Sequence, residues 1–170
     1  MIKKINLTGY KMTNNEVLHH IRYIFSLKNE KIAAIFQLAV CPQSDEEINN
    51  FFRKNGEQAF ARIADNTLAS FLDGLIIACR GAKEGAQAQL DQPINNNIVF
   101  NKVKIALALK AEDIIALLDS AELTLSKHEL SAFFRKPEHK HFRACNDDTL
   151  LKFFNGLHLK NHQAVVEIKE

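Results

Sequence analysis

The tetrapeptide FFRK at Phe51–Lys54 recurs at Phe133–Lys136, 82 positions later in a chain of 170 residues. When the chain is shifted by 82 positions, Asn14–Leu75 matches Asn96–Leu157 without a gap, and roughly a third of the aligned positions are identical. Unrelated segments would not match at one constant offset over so many positions, so the match indicates an internal repeat. We therefore interpret the chain as a tandem duplication in which FFRK is one part of the duplicated unit.

Each unit shows the apolar spacing of helices. In the first unit apolar residues recur every three or four positions, which places them on one face of a helix. They are Val17, Leu18, Ile21, Ile24 and Phe25, then Ile32, Ile35, Phe36 and Ala39, then Ile48, Phe51 and Phe52, and finally Leu68, Phe71, Leu72 and Leu75. The sequence therefore predicts an all-α protein of two tandem four-helix repeats, at about residues 14–80 and 96–162.

Polar residues stand where these helices should begin. Ser44 with Glu47, and Ser126 with Glu129, fit the capping box, in which side chains and backbone N–H groups at a helix start satisfy each other. Further cap candidates by residue type are Asn14, Asn15, Asn29, Asp65 and Asp147.

The two units are expected to pack together. A four-helix unit of about 65 residues buries only a small fraction of its surface and is marginally stable alone. We expect contact about a pseudo-two-fold axis, like an isologous dimer interface within one chain. The segment 81–95, with Gly81, Gly85 and Pro93, is predicted to be a linker. Residues 1–13 are expected to be an N-terminal extension and residues 163–170 a C-terminal tail.

Gly74 and Gly156 lie at equivalent positions inside helical patterns. Glycine there costs about 1 kcal/mol relative to alanine, so its presence in both units needs a reason. We expect a close helix–helix contact at each glycine, and the seam between the units is one candidate place for it.

Composition argues for an ordinary globular protein. The chain is 46% hydrophobic and 25% charged, and no uncharged apolar run approaches the roughly 20 residues of a membrane span. The net charge of +2 is too small to imply nucleic acid or an anionic membrane by itself. Three widely separated cysteines, Cys41, Cys79 and Cys145, without a CxxC motif, favour reduced thiols and a cytoplasmic location.

With these features in view, the chain resembles the YehS-like family of small bacterial proteins, known as domain of unknown function 1456. The likeness lies in NNEVLHHIRYIFSLKNEKIAAIFQLA, NNIVFNKVKIALALKAEDIIALL, LSKHELSAFFRKPEHKHFRACND and the paired FLDGL and FFNGL, and covers about residues 12–160. It implies a duplicated cytoplasmic helical domain, and it implies no activity and no catalytic or binding residue. Family members tend to begin near Met12–Asn15, which agrees with an upstream extension.

The most polar stretch of the second unit is FRKPEHKHFRACND. It contains six residues that form a candidate surface for binding an anion or a partner: Arg135, Lys136, His139, Lys140, His141 and Arg143. Arginine and lysine supply charge-assisted hydrogen bonds to carboxylate or phosphate. The alternative interpretation is a solvated loop between helices whose charges have no specific partner.

A metal site in this stretch has little support. His139, His141 and Cys145 could ligate zinc, with His128 as a fourth ligand. Their H-x-H-x3-C spacing matches no strong zinc pattern, and the first unit lacks these residue types. Cys145 is expected to be a small buried residue instead. We predict neither a metal nor a cofactor.

A helix-turn-helix is the main route to a nucleic-acid function. Asp113–Lys136 shows an apolar helix, a turn, and a Ser-capped helix that ends in basic residues. However, the start of that helix reads SDEE at Ser44–Glu47 in the first unit, and three acidic residues would face phosphates. The turn is also longer than the usual three or four residues.

Charge separates the units. Asn14–Gly81 has seven Lys/Arg against eight Asp/Glu, a net of −1, whereas Asn96–Gln163 has ten against eight, a net of +2, together with five of the seven histidines. Nucleic-acid binding through the basic second repeat is therefore the alternative function. The chain contains no P-loop, GxGxxG or GxSxG motif, which argues against an enzyme. We expect a non-enzymatic protein that binds a protein partner or itself.

Overall fold

The computed structural model describes residues 11–82 and 93–160, which fold entirely into helices and their connections. In chain order the helices are α1 (Asn14–Ile24), α2 (Asn29–Leu38), α3 (Asp45–Phe51), α4 (Asp65–Arg80), α5 (Asn96–Ala106), α6 (Ala111–Ser120), α7 (Lys127–Ala132) and α8 (Asp147–Leu159). The predicted all-α fold of two four-helix units is confirmed. Most of the N-terminal extension, most of the linker and the C-terminal tail lie outside the described residues.

Both predicted capping boxes are present. In the first, the Glu47 backbone N–H donates to Ser44 Oγ at 3.2 Å, and the Ser44 N–H donates to a Glu47 carboxylate oxygen at 2.7 Å. The same pair of bonds joins Ser126 and Glu129. The backbone hydrogen bond from Ser44 is the main reason why the pKa of Glu47 lies below its usual value.

The other cap predictions were wrong by one residue. The N-cap residues of the remaining helices are Thr13, Lys28, Ala64, Asn95, Lys110 and Asn146. At α1, Thr13 takes the role expected of Asn14 or Asn15, and both asparagine side chains instead form longer-range hydrogen bonds described below.

Within each unit, the second helix lies against the fourth at a glycine. A Cβ on Gly74 of α4 would lie 2.1 Å from the carbonyl oxygen of Ile35 in α2. A Cβ on Gly156 of α8 would lie 2.3 Å from the carbonyl oxygen of Leu117 in α6. The predicted close helix–helix contact is therefore confirmed, but it lies inside each unit and not at the seam between them.

Two helix pairs join the units. α1 packs against α8, and α4 packs against α5, so the first helix of each unit meets the fourth helix of the other. Exchanging the units exchanges these two contacts, which is the relation that a pseudo-two-fold axis requires. Phe71, Phe100, Phe153 and Phe154 are fully buried in the shared core.

Each third helix is short. α3 has seven residues and α7 has six, and each follows a six-residue connection. The connections turn through left-handed residues at equivalent positions, Val40 (φ 56°) and Glu122 (φ 64°). The FFRK tetrapeptide lies where α3 and α7 end, and a long loop then crosses the unit to the fourth helix.

Candidate functional site

The loop of residues 133–146, which joins α7 to α8, carries all six predicted site residues. One asparagine of α5 attaches it to the unit. Asn97 Nδ2 donates to the carbonyl oxygens of Phe133 and Arg143, both at 2.9 Å, and Asn97 Oδ1 accepts from the Cys145 N–H at 2.9 Å. The loop is therefore held at three points of its backbone, which fixes the positions from which its side chains extend.

The first repeat contains the same attachment. Asn15 Nδ2 donates to the carbonyl oxygens of Phe51 (3.0 Å) and Ala61 (2.8 Å), and Asn15 Oδ1 accepts from the Ile63 N–H at 3.0 Å. Every partner lies 82 positions before its counterpart in the second repeat. Sequence reasoning assigned Asn15 to a helix cap and missed this role. The sequence feature that could have indicated this role is an asparagine at the same position in both units, next to the apolar face of the first helix.

The preceding asparagine makes a second link in each unit. Asn96 Nδ2 donates to the Cys145 carbonyl oxygen at 3.1 Å and to Asp147 Oδ1 at 2.6 Å. Asn14 makes the equivalent bonds to Ile63 and Asp65. The Asn-Asn pair thus ties the start of a unit's first helix to the end of its loop and the start of its fourth helix.

The two phenylalanines of FFRK have different tasks. Phe133 is 2% exposed, and its counterpart Phe51 is 7% exposed, so both anchor the loop in the core. Phe134 is partly exposed, and the Lys104 ammonium lies 4.5 Å above its ring. In the first repeat Arg22 lies 4.3 Å above Phe52 in the same way. Such cation–π contacts stabilise by about 0.5–1 kcal/mol at exposed sites.

Three of the predicted site residues touch one another. Arg135 Nη1 lies 3.2 Å from His139 Nε2, and the His141 backbone N–H donates to His139 Nδ1 at 3.0 Å. The His139 and His141 rings are 5.6 Å apart, and the Arg143 guanidinium lies 5.3 Å from the Phe133 ring. We call the set Arg135, Lys136, His139, Lys140, His141 and Arg143 the basic loop surface.

The outer cations of the basic loop surface are exposed and carry no ion pair. Lys136, Lys140 and Arg143 are all exposed. Among the described residues, the salt bridges join Lys102 to Asp73, Lys127 to Glu112, and Lys152 to Asp148, and none includes these three cations. The charges of Lys136 and Lys140 are therefore available to an external group, and that of Arg143 also helps to lower the pKa of Glu129.

A pocket of about 380 Å³ lies between this loop and the seam of α4 with α5. Its walls are largely apolar and include Ile98, Ile105 and Phe142, and Arg135 lines it from the loop. Arg135 Nε is buried and has no hydrogen-bond acceptor among residues 11–82 and 93–160. Leaving a buried donor unpaired costs about 1–3 kcal/mol. The one guanidinium in this pocket thus has an unused donor.

The histidines and the cysteine do not assemble a metal site. Cys145 is 6% exposed, as predicted, and burial raises the pKa of its thiol to about 12. His128 lies near His141, with ring centroids 6.2 Å apart. No group of three or more His, Cys, Asp or Glu side chains in the described ranges could hold a metal ion.

A second histidine pair lies at the seam of α1 and α8. His20 Nδ1 is 3.1 Å from His158 Nε2, and the His20 ring stacks on Phe154 with centroids 4.9 Å apart. Burial, and then the neighbouring His158, lower the pKa of His20 to about 4. The His20 ring is therefore neutral at pH 7, and burial also lowers the pKa of His158, so the pair acts as a polar contact between the repeats.

The helix-turn-helix hypothesis meets two obstacles in the geometry. The connection between α6 and α7 has six residues, which confirms the longer turn that the sequence predicted. α7 itself has six residues, less than two turns of helix, whereas a recognition helix must reach along the major groove. In the first repeat, Asp45, Glu46 and Glu47 form the first turn of α3.

Within the described part of the chain, no helix has the length and apolar character needed to cross a membrane. A family model described as a protein of unknown function, DUF1456, matches residues 14–81 and again residues 96–162. The uncharacterized protein YehS of Escherichia coli strain K12 is 40% identical over 152 residues, which cover 89% of this chain and 97% of that protein. No solved structure matches the chain. The chain therefore belongs to the DUF1456 family, and each of its two repeats is one copy of the family's domain.

Proposed function

We propose that the protein is a non-enzymatic, cytoplasmic binding protein that recognises an acidic segment of a protein partner through the basic loop surface of the second repeat. The observation that supports this most directly is the set of three exposed cations without an ion pair, Lys136, Lys140 and Arg143, on a loop that Asn97 holds in place. Because the loop backbone is already held in place, less conformational entropy is lost when these side chains bind a partner.

The apolar surroundings favour a protein segment over nucleic acid. The loop itself carries Phe134 and Phe142, and it borders the pocket. A partner could therefore bury apolar side chains there, next to its carboxylates. Nucleic-acid binding through the second repeat is the alternative that the experiment below distinguishes.

The state of the thiols supports a non-enzymatic role. Burial raises the pKa of Cys79 to about 11 and that of Cys145 to about 12, so neither forms the nucleophilic thiolate at neutral pH. Asp65 and Asp147 accept hydrogen bonds from Asn14 and Asn96, which gives these carboxylates a structural task in each unit.

The test measures binding of fluorescent probes by anisotropy. The probes are a peptide of alternating glutamate and leucine, a duplex DNA and a single-stranded RNA, each measured at several salt concentrations. The test variant carries Lys136→Glu, Lys140→Glu and Arg143→Glu. The matched control carries Arg53→Glu, Lys54→Glu and Arg62→Glu, which makes the same change in net charge on the first repeat.

We expect the acidic peptide to bind the wild type, and the second-repeat variant to bind it at least about tenfold more weakly. The first-repeat control should stay within about twofold of the wild type. Equal losses in both variants would mean that only net charge matters and would refute the proposal. Preferential binding of DNA or RNA, with log affinity falling by about 3 for each unit of log salt as three phosphate contacts require, would establish the alternative instead.

A further inference from the structure

The two repeats carry a pocket at the same place. The second-repeat pocket of about 380 Å³ has a counterpart of about 590 Å³ in the first repeat, between the start of α1 and the loop after α3. Equivalent residues line both, among them Arg53 and Arg135, and Phe60 and Phe142. The side of the pocket formed by the loop and the first helix was therefore part of the unit that was duplicated, whereas Ala69, Asp73 and Ile76 of α4 line only the second pocket.

The arginine is the first difference. In the first repeat, Arg53 Nε donates to Asn50 Oδ1 at 3.0 Å. The second repeat has Ala132 at the position of Asn50, so that acceptor is missing. Arg135 Nε is consequently buried without an acceptor in the described chain, while its Nη1 contacts His139 at 3.2 Å. Arg135 thus lacks the side-chain acceptor that Arg53 has, and because its Nε is buried, a ligand in the pocket is reached by its terminal Nη groups.

The walls are the second difference. Glu16 of the first pocket is replaced by Ile98 in the second, and Asn55 is replaced by Pro137. Asp73, the carboxylate in the second pocket, is paired with Lys102. At these two positions the second pocket thus has apolar side chains where the first has a carboxylate and an amide. Arg135 is left as the cation in its lining that has no carboxylate partner among the described residues.

From these differences we infer that the second-repeat pocket binds a small carboxylic acid with a compact hydrocarbon body. The carboxylate is received by Arg135, whose guanidinium gives charge-assisted hydrogen bonds to such a group. The hydrocarbon packs against Ile98, Ile105 and Phe142. The volume lies within the range of small-molecule sites, which are mostly apolar with a few polar groups that fix orientation. This site is distinct from the proposed docking of an acidic protein segment, which uses the exposed cations.

The experiment is an NMR titration of the ¹⁵N-labelled full chain, in which the arginine Nε–H groups and asparagine amides are observed directly. The probes are 3-phenylpropanoate, 4-methylpentanoate and benzoate, and the uncharged 3-phenylpropanamide is the reference. We expect saturable shifts of the Arg135 Nε–H signal and of the Asn101 side-chain amide, which also lines the pocket. For ligands of this size, a dissociation constant on the order of 0.1–1 mM is expected for the best acid.

Two variants separate the pocket from general charge effects. Arg135→Gln should weaken binding of the best acid at least about tenfold, and Arg135→Lys should recover part of it. The equivalent first-repeat change, Arg53→Gln, should leave it within about twofold. The triple variant at Lys136, Lys140 and Arg143 should keep acid binding, so failure of the proposed function and failure of this inference are distinguishable.

Several results would overturn the inference. The absence of saturable shifts with all three acids would do so, and so would equal binding of 3-phenylpropanamide. Shifts centred on the first-repeat pocket, or equal losses in the Arg53 and Arg135 variants, would also contradict it. Folding of every variant is checked from the dispersion of the backbone amide signals before its titration is interpreted.

Discussion

The asparagine that attaches each loop allows one stability prediction to be worked out from the structure. Replacing Asn15 with alanine removes three hydrogen bonds: those to the Phe51 and Ala61 carbonyl oxygens, and that from the Ile63 N–H. Each such bond contributes about 1 kcal/mol net, and the groups left behind in a buried place lose more. Alanine recovers about 0.5–0.7 kcal/mol through its helix propensity. The net loss should be about 2–3 kcal/mol.

The second repeat supplies a matched variant. Asn97→Ala removes three bonds of the same kind, but its bond to the Arg143 carbonyl is exposed, whereas two of the Asn15 bonds are buried. Water can replace an exposed partner, so this variant should lose less, about 1–2 kcal/mol. Asn66→Ala is the control, because Asn66 is exposed near the start of α4. The hydrogen bond that it accepts from Thr67 Oγ1 is long, at 3.5 Å, so its loss should change the stability little.

Urea denaturation followed by circular dichroism measures these losses. For a chain of this size, 1 kcal/mol corresponds to about 2–4 °C in Tm, so Asn15→Ala should melt roughly 4–12 °C below the wild type. The slope of unfolding free energy against urea should stay constant if only stability changes. If Asn15→Ala and Asn66→Ala lose the same amount, or if Asn97→Ala loses more than Asn15→Ala, the three-bond attachment does not stabilise the loop as argued.

Three further predictions concern packing, pH and backbone strain. Gly74→Ala and Gly156→Ala should each lose about 3 kcal/mol in urea melts, since the new Cβ must push two helices apart, and a loss under 1 kcal/mol would contradict the contact. Because the pKa of His20 is about 4 when folded and 6.5 when unfolded, the unfolded state binds more protons in that interval. The contribution of His20 to the free energy of unfolding should therefore be complete above pH 6.5 and be lost as the pH falls towards 4. In the variant His20→Gln, Tm should fall less over this range. An unchanged pH profile in that variant would exclude the His20–His158 pair as the cause of the fall. Val40 is 89% exposed at φ 56°, so Val40→Gly should raise stability by about 1 kcal/mol, and a lower Tm would show that the left-handed turn carries no strain.

The helical repeat could be predicted because it depends on local rules. Apolar spacing places Ile32, Ile35 and Phe36 on one helix face, and the fold buries all three completely. The boxes at Ser44 and Ser126 were predictable because each closes within four residues of the chain.

The candidate site was only partly predictable. Composition identified the basic loop from Arg135 to Arg143, and the structure joins Arg135, His139 and His141 there. The pocket was missed because its walls come from α4, α5 and the loop, which are far apart in the chain. The unused donor of Arg135 was missed because it follows from Ala132, whose importance appears only when its counterpart Asn50 is seen bonded to Arg53.

The sequence by itself determined the duplication, the helices and the charge difference between the repeats, because periodicity, offset and composition are properties of the chain alone. Only the tertiary structure decided what the paired asparagines, glycines and arginines do. Asn15 bonds to residues 36–48 positions away, and Gly74 meets a carbonyl on another helix. Such contacts form only when folding brings together segments that are far apart in the chain. A local sequence pattern does not indicate which distant segments will meet.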